Sequence, residues 1–163
     1  MSQVLFNEDD SKLIAVAKGH PGAPGFLAVW DVNADGSLSE NFTKLAPPAG
    51  AALLFGTSVI PGMNALLVTD PAVGAEIIDL SGLSGNTTLS GGSRSSLVNI
   101  TGEGAVCWTA YSSKTGNFYA TDIRTSLVTE INVDKNLKGT VVKVRRSYAG
   151  HLLVASEHDA GTL

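Results

Sequence analysis

A pattern of turn formers followed by short apolar runs returns three times along the 163 residues, at intervals of about fifty. The first copy runs from Asp9-Asp10-Ser11 through Lys12–Val16 to Gly25–Val32 and the turn Asn33-Ala34-Asp35-Gly36. The second sets Pro61-Gly62 before Ala65–Val68 and then Gly74–Leu80. The third sets Thr115-Gly116 before Asn117–Ala120 and then Leu127–Asp134. Aligned on the residue before the first apolar run, Lys12, Asn64 and Asn117 stand 52 and 53 apart; aligned on the polar residue of the next run, Asp31, Asp79 and Asn132 stand 48 and 53 apart. Two landmarks thus hold one period, the mark of a fold built from stacked copies of one supersecondary unit.

The character of the unit follows from its residues. Gly, Pro, Asn and Asp punctuate runs rich in Val, Ile, Leu, Phe and Tyr, which suit a pleated surface. No ten-residue amphipathic helical pattern occurs, so a solenoid with a helix in each unit fits poorly. The reading is all-β: a partial β-propeller of about three four-stranded antiparallel blades, spanning residues 4–50, 51–103 and 104–150 of a single incomplete domain over 1–163. Propellers close with four to eight blades, so three do not make a ring. The end of the chain departs from the pattern. The next apolar run, His151–Ser156, follows Phe118 by about 34 residues where the period asks for 52, and residues 144–163 read as an atypical tail.

Charge and composition remove several function classes. The net charge is −4, and Lys143, Arg145 and Arg146 are the one basic grouping, so the clustered cationic face that nucleic acid requires is missing. No apolar run reaches the length of a membrane-spanning helix. Met1-Ser2-Gln3-Val4 lacks the layout of a secretion signal, which predicts a cytoplasmic chain as written. Three glycosylation triplets begin at Asn41, Asn86 and Asn99 and have meaning only in a secreted protein. A single cysteine, Cys107, excludes an internal disulfide and a cysteine-rich zinc site; it reads as a small buried hydrophobe, with a nucleophile as the rival.

The phrases Gly25-Phe26-Leu27-Ala28-Val29-Trp30-Asp31-Val32, Leu45-Ala46-Pro47-Pro48, Ser58-Val59-Ile60-Pro61-Gly62 and Lys114-Thr115-Gly116-Asn117-Phe118-Tyr119, the last followed by Thr121-Asp122-Ile123, carry a family resemblance. The chain resembles fungal lactonase-like seven-bladed propeller proteins of the YVTN/lactonase-like kind, described as 3-carboxymuconate cyclase or 6-phosphogluconolactonase-like. The similarity runs from Val4 to Lys143 and covers less than half of such a protein. The resemblance implies a secreted parent with further blades, and hydrolysis or formation of a lactone on a carboxylated small molecule.

Such chemistry asks for a group that moves a proton and a cation that steadies an oxyanion. His20, in the loop Gly19-His20-Pro21-Gly22, is one titratable candidate; its bland reading is a solvated loop histidine. Asp122 and Arg124 are the others proposed as catalytic, Arg124 facing a substrate carboxylate, against turn capping and a surface charge. Asp70, equivalent to Asp122, and Trp108 are candidate ligand contacts, against a turn cap and blade-to-blade core. No cofactor or metal is expected. A phosphate cradle, a serine-hydrolase elbow and a zinc-protease motif are all missing. Asp31-Val32-Asn33-Ala34-Asp35-Gly36 opens like a calcium loop, but Phe42 stands where the bidentate glutamate belongs, and a turn with left-handed Gly36 explains the segment better. Two other readings stand beside the enzyme: a non-catalytic secreted propeller that binds a ligand or protein around Trp108 and Asp122, and a truncated product whose open blade edges self-associate.

Overall fold

A computed structural model describes residues 1–20, 22–81, 83, 88–90 and 94–146. Every regular element among them is a strand. The first unit holds β1 (Gln3–Phe6), β2 (Lys12–His20), β3 (Ala23–Asp31) and β4 (Thr43–Ala46). The second holds β5 (Thr57–Ile60), β6 (Ala65–Asp70), β7 (Gly74–Asp79), β8 (Thr88–Ser90) and β9 (Ser96–Asn99). The third holds β10 (Val106–Ser112), β11 (Asn117–Asp122), β12 (Leu127–Val133) and β13 (Gly139–Arg146). These form three antiparallel meanders: β1-β2-β3-β4, β5-β6-β7-β9 and β10-β11-β12-β13. The short β8 leaves its own unit and pairs in parallel with β4, giving the first sheet a fifth strand. Val144, Arg145 and Arg146, assigned to the tail on sequence, lie within β13; residues 147–163, His151–Ser156 included, lie outside the described residues.

The register corrects one landmark. Lys12 pairs with Asp31, Ala65 with Asp79 and Asn117 with Asn132. The equivalent of Lys12 is therefore Ala65, one residue past Asn64, which sits in the preceding turn at a φ of 25°. In a strand that single step exchanges the two faces.

With the faces assigned, the blades stack. One face of the first sheet, through Ile14, Val16, Leu27, Val29 and Leu45, meets Leu66, Val68 and Ile78 of the second. The opposite face of the second sheet, through Ile60, Leu67, Ile77 and Val98, meets Phe118, Ala120 and Ile131 of the third. Each fully buried side chain of this size stabilises by roughly 1.5–3 kcal/mol, and a blade alone leaves both its rows in water. Stacking supplies the stability the unit lacks.

The strands β1, β5 and β10 lie at one end of their sheets and touch across the blades. Thr57 N–H donates to Gln3 Oε1 at 2.6 Å and Gln3 Nε2 returns a bond to Thr57 O at 2.9 Å. Ser58 Oγ donates to Thr109 O at 3.2 Å, and Gly56 N–H to Cys107 O at 2.8 Å. These are the inner strands of the array. The segments Leu66–Val68 and Phe118–Ala120 belong to β6 and β11 and stand one place further out. The turn at Asn33–Ser37 forms as expected: Gly36 has a φ of 83° and its N–H donates to Asn33 O at 2.9 Å.

Gly56 is fixed by space. A Cβ there would lie 2.4 Å from Cys107 O and 2.8 Å from Trp108 Cα, both backbone atoms. Gly56→Ala therefore forces the second and third blades apart at their inner strands. We expect a loss of about 2–3 kcal/mol, read as a lower urea midpoint with the same slope.

Candidate functional site at one rim

The C-terminal ends of β2, β6 and β11 point to the same rim, and the loops that lead into β5 and β10 arrive there too. The topology thus gathers His20, Asp70, Trp108, Asp122 and Arg124 at one end of the array, although they are spread over three units.

Asp70 and Asp122 do the same work in successive blades. Asp70 Oδ2 accepts the N–H groups of Ala52 at 2.6 Å and Leu53 at 2.9 Å, and Oδ1 accepts that of Ala72 at 2.8 Å. Asp122 Oδ2 accepts Gly104 N–H at 2.6 Å, and Oδ1 accepts Ala105, Arg124 and Thr125 at 3.1, 2.9 and 3.0 Å. Both carboxylates are buried. Burial pushes the Asp122 carboxyl up, but the backbone donors outweigh it and hold the group below its ordinary range. Each aspartate therefore ties the incoming loop of its blade to the hairpin beside it. The equivalent of Asp70 in the first blade is Ala17, and the next residue, Lys18, supplies a cation at the rim instead.

Lys18 Nζ lies 4.5 Å from the centroid of Phe55, whose ring meets Trp108 edge-on at a centroid distance of 5.1 Å. Both rings are half-buried and Lys18 is exposed. This makes an aromatic floor with a cation over it, drawn from all three blades. Beside it β10 bulges between Val106 and Trp108. Bulges re-aim side chains and gather near functional sites. Cys107, at the bulge, is buried as expected, and burial raises its thiol above the ordinary value, which leaves it a poor nucleophile. The charges of Lys18, Asp122 and Glu103 are all felt at this thiol.

Glu103 is the titratable group that the sequence reading missed. It is half-buried in the loop held by Asp122, and its Oε2 has no hydrogen-bond partner among the described residues. Burial raises its pKa; the Val106 N–H works against this, and the Asp122 and Asp70 charges add to it. Thr125 Oγ1 is a second orphan: its Cγ2 lies 3.1 Å from where a Cβ on Gly104 would stand. The signal in the sequence was slight, an acidic residue between Gly102 and Gly104 in a loop joining two blades. Arg124 is exposed, with its aliphatic stem against Gly104. His20 is exposed at the tip of the β2–β3 hairpin, paired with Ala23. Among the described residues no three His, Cys, Asp or Glu side chains come together in a way that could hold a metal ion. Nor is any described helix long and apolar enough to cross a membrane.

No family of known proteins matches the sequence, and no curated protein does. Solved structures do. The chain is similar to the periplasmic gluconolactonase PpgL of Pseudomonas aeruginosa, with a TM-score of 0.70 at 16% identity, over 91% of this chain and 43% of that one. It is also similar to a functionally unknown protein from Desulfotomaculum acetoxidans DSM 771, with a TM-score of 0.55 at 14% identity, over 88% of this chain and 55% of that one. The chain thus spans about half the length, or less, of the structures it matches. Three stacked antiparallel sheets with touching inner strands, and a likeness of this extent to a lactonase propeller, make the fold a partial β-propeller.

Proposed function

We propose that the rim acts on a lactone or a carboxylated small molecule, as part of a lactonase-like propeller. The observation that carries this is Glu103: a half-buried carboxyl of raised pKa with one oxygen unpartnered, at the rim where Lys18 lies over Phe55 and where the charges of Lys18 and Glu103 both reach Cys107. A base poised above the ordinary carboxylate range is suited to take a proton near neutrality. In the hydrolytic direction water adds to the lactone carbonyl while its proton passes to Glu103. The Lys18 ammonium faces the oxygen that gains charge. The ring C–O bond then breaks, and the proton returns to the leaving oxygen. In the direction that the resemblance to 3-carboxymuconate cyclase implies, a substrate carboxylate oxygen adds to a C=C bond while protonated Glu103 delivers its proton to the adjacent carbon, and no water is released. Arg124 and His20, at the same rim, are the proposed contacts for a substrate carboxylate. Asp122 and Asp70 act as positioning residues, through the loops that carry Glu103 and Phe55.

The test is lactone opening followed by proton release, with glucono-δ-lactone and glucaro-1,4-lactone and subtraction of the uncatalysed rate. Glu103→Gln is expected to lower kcat about 100-fold with little change in KM. An unchanged kcat in this variant removes the assignment.

The Lys18–Phe55–Trp108 contact favours a second reading, a binding propeller without catalysis. It predicts lactone-dependent quenching of Trp108 with no turnover. As for location, Asn41 and Asn99 are exposed, and Asn86 lies outside the described residues. We propose a secreted parent on the strength of these triplets; a glycosidase-sensitive mass shift in protein recovered from a eukaryotic culture medium tests it against the cytoplasmic reading.

A further inference from the structure

The rim opposite Glu103 is made by the turns β1–β2, β5–β6 and β10–β11 and by the segments that follow β7 and β12, so each blade interface ends there in a mouth. The register makes the two mouths equivalent. Lys12 corresponds to Ala65, so Glu8 corresponds to Pro61, and in the same way Val59 corresponds to Tyr111 and Leu80 to Val133. The mouth between the first two blades is polar and bridged. Both Glu8 carboxyl oxygens accept the N–H of Gly62 in the next blade, at 2.9 and 2.7 Å, and Lys12 beside it is ion-paired with Asp31.

The mouth between the second and third blades lacks both devices. Pro61 has no group that could cross to the next blade, and Ala65 stands in the place of Lys12. What remains is a cleft of about 250 Å³. Ile60 and Phe118 are buried beneath it, Met63, Tyr111 and Val133 are half-buried around it, and the Tyr111 ring lies 5.0 Å from that of Phe118. Its polar groups are few. The Tyr111 hydroxyl has no hydrogen-bond partner among the described residues. Lys135 is exposed at the edge and makes no ion pair among them. Asp134 beside it is already bound within its own turn, where Oδ1 accepts the N–H groups of Asn136 and Lys138 at 2.8 and 2.9 Å, and the charges of Lys138 and Lys135 are both felt there. Lys114 is exposed in the β10–β11 turn, and Glu8 lies beyond Gly62 on the side of the first blade. The lysines Lys114, Lys135 and Lys138 thus outnumber Asp134 and Glu8, whose carboxylates already hold backbone N–H groups, and the mouth is positive.

We propose that this cleft binds a small aromatic carboxylate, with the ring against Phe118, Tyr111 and Met63 and the carboxylate held by the Tyr111 hydroxyl and the Lys135 ammonium. An apolar hollow with a few convergent polar groups is the usual form of a small-molecule site, and a charged acceptor strengthens both of these bonds. Size narrows the class. A cavity of about 150 Å³ holds one benzene ring, so the cleft takes a ring and about four further heavy atoms, which is the size of phenylacetate. The site lies on the rim away from Glu103, between two blades that are both present, and it is independent of the lactone reading.

Titration of the ¹⁵N-labelled full chain with phenylacetate, to about 30 mM at constant ionic strength and followed amide by amide, tests this. The amides of Met63, Gly116 and Lys135 are expected to shift together and saturate with a Kd on the order of 1 mM, as suits a ligand of this size, while those of Gly104 and Ala105 at the other rim stay in place. Phenylacetamide has the same shape without the charge and is expected to bind about 10-fold more weakly. Lys135→Met should bring phenylacetate down to the affinity of phenylacetamide and leave phenylacetamide itself unchanged, which also shows that the variant is folded. No saturable shift at the cleft overturns the proposal. So does phenylacetamide binding as tightly as phenylacetate, or a Lys135→Met chain that binds phenylacetate as the parent does.

Discussion

Glu76→Met is expected to stabilise the fold by about 3 kcal/mol at pH 7 and by less than about 1 kcal/mol at pH 5. Glu76 has no exposed surface, and neither carboxyl oxygen meets a hydrogen-bond donor among the described residues. It pairs with Val68 on β6 and Leu97 on β9, and it shares the face of Val68 and Ile78 between the first two blades. Burial, with the Asp70 charge adding, raises its pKa from 4.5 to about 8. The folded chain therefore keeps this proton where the unfolded chain has lost it. The favourable state of this group is complete below the unfolded value. Stability then falls by about 1.4 kcal/mol per pH unit as the pH rises toward 8, and levels off once the folded group ionises. Methionine has a similar length and no charge, so the gain should track that loss. Urea midpoints of parent and variant at pH 5, 7 and 8.5 check it; a gain that does not grow between pH 5 and 8.5 contradicts the burial of this carboxyl.

The second large effect has the opposite sign. Asp122→Ala leaves the N–H groups of Gly104, Ala105, Arg124 and Thr125 without their acceptor. Hydrogen bonds to a charged group are each worth about 1.5–3 kcal/mol, part of which water recovers at a rim, so a loss of about 3 kcal/mol is expected. The pH dependence separates this from simple loss of packing. The pKa is lowered in the folded state, so the carboxylate contributes fully above the unfolded value near 4 and its contribution is lost as pH falls through the folded value. The gap between parent and Asp122→Ala should be flat from pH 5 to 8 and close below pH 4. Because the same loop carries Glu103, kcat is expected to fall as well, and Asp122→Asn, which keeps one acceptor oxygen, should restore part of both.

The repeat, the turns and the strand count were legible because they are local: Gly36 and Pro61-Gly62 announce turns whatever surrounds them. Turn capping by Asp70 and Asp122 was legible as an alternative, since aspartate after a strand commonly binds nearby amides. That each also holds a loop 17 and 18 residues upstream was not, since it depends on how one blade begins beside the end of its second strand. The site needed the register between units. With Asn64 in place of Ala65 as the landmark, the residues of β6 are assigned to the wrong face, although Asp79 keeps β7 in register with β3 and β12. Lys18, Phe55 and Glu103 lie 37 and 48 residues apart along the chain, and only the stacking of three sheets brings them to one rim.

Hydrogen exchange read by NMR tests that stacking most directly. The amides of Gly56 and Thr57 bond to Cys107 O and Gln3 Oε1 in neighbouring blades, and those of Ala52, Leu53, Gly104 and Ala105 bond to the buried aspartates. In a packed three-blade array Gly56 and Thr57 exchange about as slowly as the amides of β6, and the four loop amides are protected with them. If Gly56 and Thr57 exchange at unprotected rates while the strand amides of β6 and β11 stay slow, the blades fold singly, and the rim site falls with that result.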